Sequence, residues 1–430
     1  MPSFVTAPLA DVLARVIDHR GRTPKKLGGD FVSSGVRVLS ALNVQEGRID
    51  DSDTRYVTEE MWHRWMPEKL HSGDVLLTSE APLGQTAYLA SDDPLCLGQR
   101  LFALRADERR LHGRFLYYYL RSEIGQSGLA ARATGTTVVG IRQSELMRVE
   151  VPLPPLRDQQ AIAAVLGILD DKIEQNRRTT RAMEELSRAT FKAWFVDFEP
   201  VKSKAAGATS FPGLPPAAFT VLPDRLTDSP LGPVPQGWDT PVFSEIVKQS
   251  SERVGTTSVP AYSSTNEGLR PRDEQFKKDL AKSFAKNLLI RRGDLVFGNS
   301  REILNFGVMY DPAGSVSQVY KVFRPQSKVV TSRYIEMMIR ERSAFYRQII
   351  RSTTRDNQGI MADFFLQLPL LVPPREFRDA YAAVEKPVRE MIDHLQTESA
   401  KLATLRDYLL PRLLSGRVRV RDVVESGTGT

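Results

Sequence analysis

Between Leu153 and Phe195, apolar and small polar positions recur at steps of four and three: Ile162, Leu166, Leu169, Ile173, Asn176, Thr180, Met183, Ser187, Thr190 and Trp194. The same stepping returns in "LVPPREFRDAYAAVEKPVREMIDHLQTESAKLATLRDYLL", through Phe377, Tyr381, Val384, Val388, Met391, Leu395, Glu398, Leu402, Leu405 and Leu409. A seven-residue repeat predicts a helix that keeps one seam turned toward a partner helix. The apolar members of both series are the expected packing positions, and the first seam turns polar after Ile173. Pro154-Pro155 and Pro373-Pro374 force the residues before them out of helical geometry, so each helix starts sharply after its pair. Gly167 and Pro387 disfavour helix interior. Each region is therefore expected as a short helix, a bend, and a long helix. The long pieces span about 168–195 and 387–414, roughly 40 Å each at ~1.5 Å per residue.

Outside the helices, short runs rich in Val, Leu, Phe and Tyr alternate with Gly, Asp, Asn and Pro, as in "GDVLLTS" and "GQTAYLA". They predict strands and tight turns, with short helices such as "FLYYYLRSEI". The pattern occurs twice. Gly73-Asp74 in "SGDVLL" matches Gly293-Asp294 in "RGDLVF", an offset of 293 − 73 = 220. Gln99 matches Gln318, Gly140 matches Gly359, and Pro154-Pro155 matches Pro373-Pro374, all at 219. Landmarks holding one register over more than a hundred residues indicate an internal duplication. The expected class is α+β: two units of mixed strands and short helices, separated by two long antiparallel helices that form a coiled-coil spacer with pseudo-twofold symmetry. The expected boundaries are 1–155 and 236–374 for the units, and 156–198 and 375–420 for the helical regions. Residues 199–235, rich in Pro, Gly, Ala and Ser with no apolar period, are expected as a surface linker, and 421–430 as a flexible tail. The competing reading of the helices is that they are ordinary core elements of two globular domains.

A chain of 430 residues, 41% hydrophobic and 26% charged, is ordinary for a folded protein of two to four domains. A net charge of +7 permits a polyanionic partner without requiring one. Cys96, the single cysteine, excludes an intrachain disulfide and fits a reducing cytoplasm. No signal peptide pattern opens the chain, and no apolar run approaches the roughly 20 residues of a membrane helix. The chain is expected to be soluble and cytoplasmic. Phosphate-loop and His-Glu-x-x-His patterns are missing, and the five histidines are scattered without metal-ligand spacing. Asp170-Asp171-Lys172 reads as a solvated helix face rather than a nuclease motif. No catalytic residue and no metal site is expected in this chain.

Two similar, non-identical units on an approximate dyad suit bipartite duplex recognition, where helix length sets the half-site separation, here about 12 bp at ~3.4 Å per base pair. The run "PLPPLRDQQAIAAVLGILDDKIEQNRRTTRAMEELSRATFKAWFVDFEPV" resembles the central region of specificity (S) subunits of type I restriction-modification enzymes. "LRDYLLPRLLSGRVRV" is similar to that family's C-terminal region, and "VPQGW" to the usual opening of its second recognition domain. The resemblance covers the whole chain. It implies a noncatalytic subunit whose two target recognition domains read an asymmetric, interrupted site in double-stranded DNA. It further implies two docked methyltransferase (M) subunits that bind S-adenosylmethionine and methylate adenine, and restriction (R) subunits that use ATP and Mg, with no cofactor bound by this chain itself. Pro387-Val388 stands where the first copy has Ile168-Leu169, so the second short helix departs from the first. A stand-alone DNA-binding protein of the same fold and a coiled-coil protein-binding scaffold remain as alternatives.

Arg, Asn and Gln can read base edges, while hydroxyls and cations position phosphates. "HRGRTPKK" supplies Arg20, Arg22, Lys25 and Lys26 in an expected mobile basic loop. "ARATGTTVVGIRQSEL" supplies Arg132, Thr134, Thr136, Thr137 and Arg142. Its counterpart "RSTTRDNQGIMADFF" supplies Arg351, Thr353, Thr354, Arg355, Asn357 and Gln358. From Gln236 to Arg375 there are 21 Lys and Arg against 14 Asp and Glu, but from Met1 to Glu150 the count is 19 against 19. The second unit thus carries more general attraction for phosphates.

Overall fold

A computed structural model describes residues 4–51, 53–265, 268–272, 285–298, 304–350, 360–418 and 420. Its contacts divide the chain into two units. One runs to Arg178 and resumes at Leu395; the other is Thr179–His394.

In the first unit, β1 (Leu13–Asp18), β2 (Val75–Thr78), β3 (Thr86–Tyr88) and β4 (Leu101–Ala106) form an antiparallel sheet in the order β1-β4-β2-β3. Val75, Leu77, Phe102 and Leu104 face one core, which also holds Phe115, Leu116 and Leu120 of α1 (Gly113–Arg121). Leu76, Leu101 and Ala103 face a second core with Val38, Trp65 and Cys96. The sheet is covered on both faces, which is why "DVLL" reads as an uninterrupted apolar run. Burial within the second core pushes the Cys96 thiol up to about 12, despite the nearby Lys69. Beyond α1 and two further short helices, Glu123–Ala131 and Gln143–Leu146, lies the long helix α2 (Leu156–Phe195).

The second unit repeats the plan. β5 (Val247–Ser250), β6 (Leu295–Phe297), β7 (Phe306–Val308) and β8 (Lys321–Pro325) pair in the order β5-β8-β6-β7. Val75 lies opposite Leu104 in the first sheet and Leu295 opposite Phe323 in the second, so register is duplicated with topology. The landmark aspartates explain themselves here. Asp74 accepts from Arg105 Nε and Nη2 at 2.8 Å each, and Asp294 from Arg324 Nε and Nη2 at 3.0 Å each. Each carboxylate also accepts a backbone N–H three residues earlier, from His71 or Arg291, at 2.9 Å. Helix α3 (Ser332–Glu341) follows β8, and the long helix α4 (Arg375–Leu414) comes after further short helices.

The long helices α2 and α4 pack together, antiparallel within each unit. In the first unit Asp170 meets Arg406 at 2.7 Å and Asn176 Nδ2 donates to Glu398 at 2.6 Å. In the second, Phe191 packs on Tyr381 and Trp194 on Phe377, with ring centroids 5.7 and 5.2 Å apart. The expected bends are not breaks. Each helix is a single element of 40 residues, about 60 Å rather than 40 Å. Gly167 answers to close approach instead: a Cβ there would lie 2.7 Å from Arg114 Cζ, and Arg114 donates to its carbonyl at 3.3 Å. Pro387 lies exposed, where the loss of one helical hydrogen bond is tolerated.

Along the seam Ile162, Leu166, Trp194, Leu395 and Leu409 are buried. Leu169 and Val384 pack at core edges, and Ile173, Met183, Val388 and Leu402 are half-buried. Met391 and Leu405, expected in the seam, are each 45% exposed. Ile392 is buried in place of Met391, and Arg406 turns inward in place of Leu405. A straight helix of 3.6 residues per turn drifts against a 3.5-residue repeat, so the seam takes a step of four after Val388. Asn176, Thr180 and Ser187 are buried as well, so the polar stretch of the first seam still faces inward.

The segment expected as a surface linker is also different. It forms helices at Glu199–Ala205 and Pro216–Thr220, and it sends Val201, Leu214, Phe219, Leu222, Leu231 and Val234 into the second unit's core. Its apolar residues follow no period because they sit on successive short turns.

Candidate nucleic-acid interface

In the first unit the basic segment after β1 is pinned, not loose. Asp18 holds Arg20 through Nε at 2.9 Å and Nη2 at 2.7 Å, and the guanidinium lies 4.1 Å over the Phe102 ring. Arg22 donates to the carbonyls of Arg64 and Trp65, and Lys26 Nζ to that of Gly21 at 2.9 Å. Lys25 opens a 3-10 turn, Lys25–Leu27, and is exposed.

The second basic segment comes to the same place. Thr134 and Gly140 exchange backbone hydrogen bonds of 2.8 and 2.9 Å, closing a loop that exposes Thr136 and Thr137. Gly140 forms a β-bridge with Glu80, and Ile141 N donates to the Ser79 carbonyl at 2.9 Å. Ser79 N in turn donates to the Arg100 carbonyl at 2.8 Å, and Arg100 Nε stands 3.3 Å from Glu80 Oε1. Arg132 is 3.7 Å from Glu145, and Arg142 is exposed just before the short helix Gln143–Leu146.

A cleft of ≈450 Å³ is lined by Asp18, Arg20, Gly21, Ser79, Glu80, Gln99 and Arg100. A neighbouring cleft of ≈570 Å³ shares Gln99 and Arg100 and adds Arg22, Lys25, Phe31, Asn43 and Arg55, among others. Sequence reasoning missed Arg55, Phe31 and Arg100; Asn43, also in the lining, is buried and spends its amide on the carbonyls of Asp50 and Asp53. Only Arg100 carried a signal, as the neighbour of the duplicated landmark Gln99. The rim mixes guanidinium and amide donors with the carboxylates of Asp18, Asp30, Asp53 and Glu80, beside the partly exposed Phe31 ring under Arg55. The donors are of the kind that bind phosphates and base edges.

In the second unit Arg253, following β5, donates to the Lys286 carbonyl and stands 3.3 Å from Gln318 Oε1. Beside it Glu252 accepts from Arg291 and, at 2.9 Å, from Arg324; these hydrogen bonds hold its carboxyl down to about 2. Arg351, Thr353, Thr354, Arg355, Asn357 and Gln358 lie outside the described residues. With the folded value below the ordinary 4.5, Glu252 contributes stability that is complete above pH 4.5 and lost as pH falls toward 2. Accordingly, the difference in Tm between the wild type and Glu252→Gln is expected to hold steady from pH 7 to 5 and close by pH 2. A difference that persists unchanged at pH 2 contradicts this.

Residues 63–184 match the family model described as the type I restriction modification DNA specificity domain. The type I restriction enzyme MjaIX specificity subunit of Methanocaldococcus jannaschii is 24% identical over 363 residues, covering 82% of this chain and 79% of that one. Along most of its length this chain is similar to type I restriction-enzyme specificity subunits. The HindI specificity subunit of Haemophilus influenzae is another relative, 21% identical over 81% of this chain and 87% of its own. The fold agrees with the crystal structure of the type I restriction-modification system S subunit from M. genitalium. The TM-score is 0.53, with 15% identity over 95% of this chain and 96% of that one. Among the described residues, no helix is long and apolar enough to cross a membrane.

Proposed function

We propose that this chain is a noncatalytic type I specificity subunit that reads an asymmetric, bipartite site in double-stranded DNA, one half-site per unit, and docks two methyltransferase subunits that modify adenine within it. The duplication carries the reading. The same sheet, register and buried Asp–Arg pair occur twice, while the sequences of the connecting segments differ between copies. Shared framework with divergent loops suits two heads that read different sequences. S-adenosylmethionine would sit on the methyltransferase subunits, and ATP and Mg on restriction subunits where these join. The chain would act in the cytoplasm, in DNA methylation and host defence.

Methylome sequencing of cells with and without this chain, each supplied with a partner methyltransferase, tests the proposal. Adenine methylation at one interrupted, asymmetric motif is expected only when the chain is present. Methylation independent of the chain overturns it. Salt-dependent duplex binding without chain-dependent methylation would leave a stand-alone DNA-binding protein instead.

A further inference from the structure

Both units carry a two-residue turn at the same place. Gln99 and Arg100 follow the strand Leu95–Leu97 and lead into β4, while Gln318 and Val319 follow Ala313–Val316 and precede β8. The glutamine is shared; the next residue changes from arginine to valine. Both tips face solvent, with the Arg100 side chain 50% and Val319 53% exposed. Arg100 has φ +63°, a conformation that costs a non-glycine residue energy and gathers at binding sites. Its ion pair with half-exposed Glu80 is cheap to exchange for another partner.

A cation accompanies each turn. Ile17 lies opposite Ala103, and Ser250 opposite Val322, so Arg20 and Arg253 each stand three residues beyond equivalent positions. Arg20 lines the cleft with Gln99 and Arg100, and Arg253 reaches Gln318. Constant Arg and Gln thus surround one varying tip in each unit.

Resting on the proposed function, we infer that the tip is where each unit distinguishes one base pair. Arg100 donates to O6 and N7 of a guanine in the first half-site. Val319 packs on the methyl group of a thymine in the second. The flanking Arg and Gln hold the duplex backbone.

Methylomes of the wild type, Arg100→Val, Arg100→Lys and Val319→Arg test this, each full-length chain being expressed with its partner methyltransferase. The wild-type motif is expected to hold a guanine and a thymine at the positions concerned. Arg100→Val should relax one position of the first half-site by roughly ten- to hundredfold, Arg100→Lys by less because an ammonium still donates to guanine, and both should leave the second half-site intact. Val319→Arg should alter one position of the second half-site only, and it supplies an independent arm should the Arg100 variants fold poorly. An unchanged motif in Arg100→Val overturns the inference, because no donor to guanine then remains at the tip. So does an even loss of methylation at all sites in a folded Arg100→Val, or a change in both half-sites from one substitution. Absence of any bipartite motif in the wild type defeats the proposed function itself. A wild-type motif that none of the variants alters defeats this inference alone.

Discussion

Replacing Asp294 by alanine is expected to lower the stability of the second unit by roughly 2–4 kcal/mol, and Asp74→Ala to do the same in the first. Each carboxylate is 1% exposed and takes both donors of an arginine fork. Removing it leaves a guanidinium and a backbone N–H facing an apolar void. The cost stays below the upper range for a buried pair because each arginine keeps another carboxylate, Glu68 for Arg105 and Glu252 for Arg324, and about a quarter of its exposure. Hydrogen exchange can read the two units separately. Asp74→Ala should accelerate exchange in β2 and β4 and spare β6 and β8; Asp294→Ala should do the converse. If neither variant moves these amides, the shared pair is not what holds the repeated sheet.

Asp170→Ala is the second large effect, also roughly 2–4 kcal/mol. Asp170 accepts from Tyr118 Oη at 2.8 Å and Arg406 Nη1 at 2.7 Å, with Arg121 at 3.5 Å, so it ties α1, α2 and α4 together within the first unit. Burial opposes the Arg406 charge, but Asp170 and Asp407 outweigh it and raise the arginine's pKa. Burial and the adjacent Asp170 raise the Tyr118 phenol. Urea denaturation of the full chain checks this. The loss should fall on the first unit's transition, and a loss under about 1 kcal/mol would mean that water replaces the carboxylate.

Asp170 also shows where the sequence stops being legible. On its own helix it sits among Asp171, Lys172 and Glu174 and reads as a solvated face. Its partners come from residues 49 to 236 positions away, and no local pattern announces them. The duplication was legible because offsets survive divergence, and the long helices because their period is regular. Met391 and Leu405 were misplaced because a heptad template ignores helical drift. Residues 199–235 were misread because burial on short turns leaves no period. The rim of the candidate interface was half legible. Arg20, Arg22 and Lys25 stand in a recognisable basic run, whereas Arg55 and Arg100 join them only through folding.

Leu409, Leu410, Leu413 and Leu414 of α4 belong to the same core as Leu9, Phe102 and Phe115. The unit made before the other therefore lacks part of its interior until the end of α4 has left the ribosome. The second unit, Thr179–His394, is contiguous and has all its residues before then. Synthesis order and completion order are thus reversed in this chain, and the nascent first unit must wait with a hydrophobic surface uncovered.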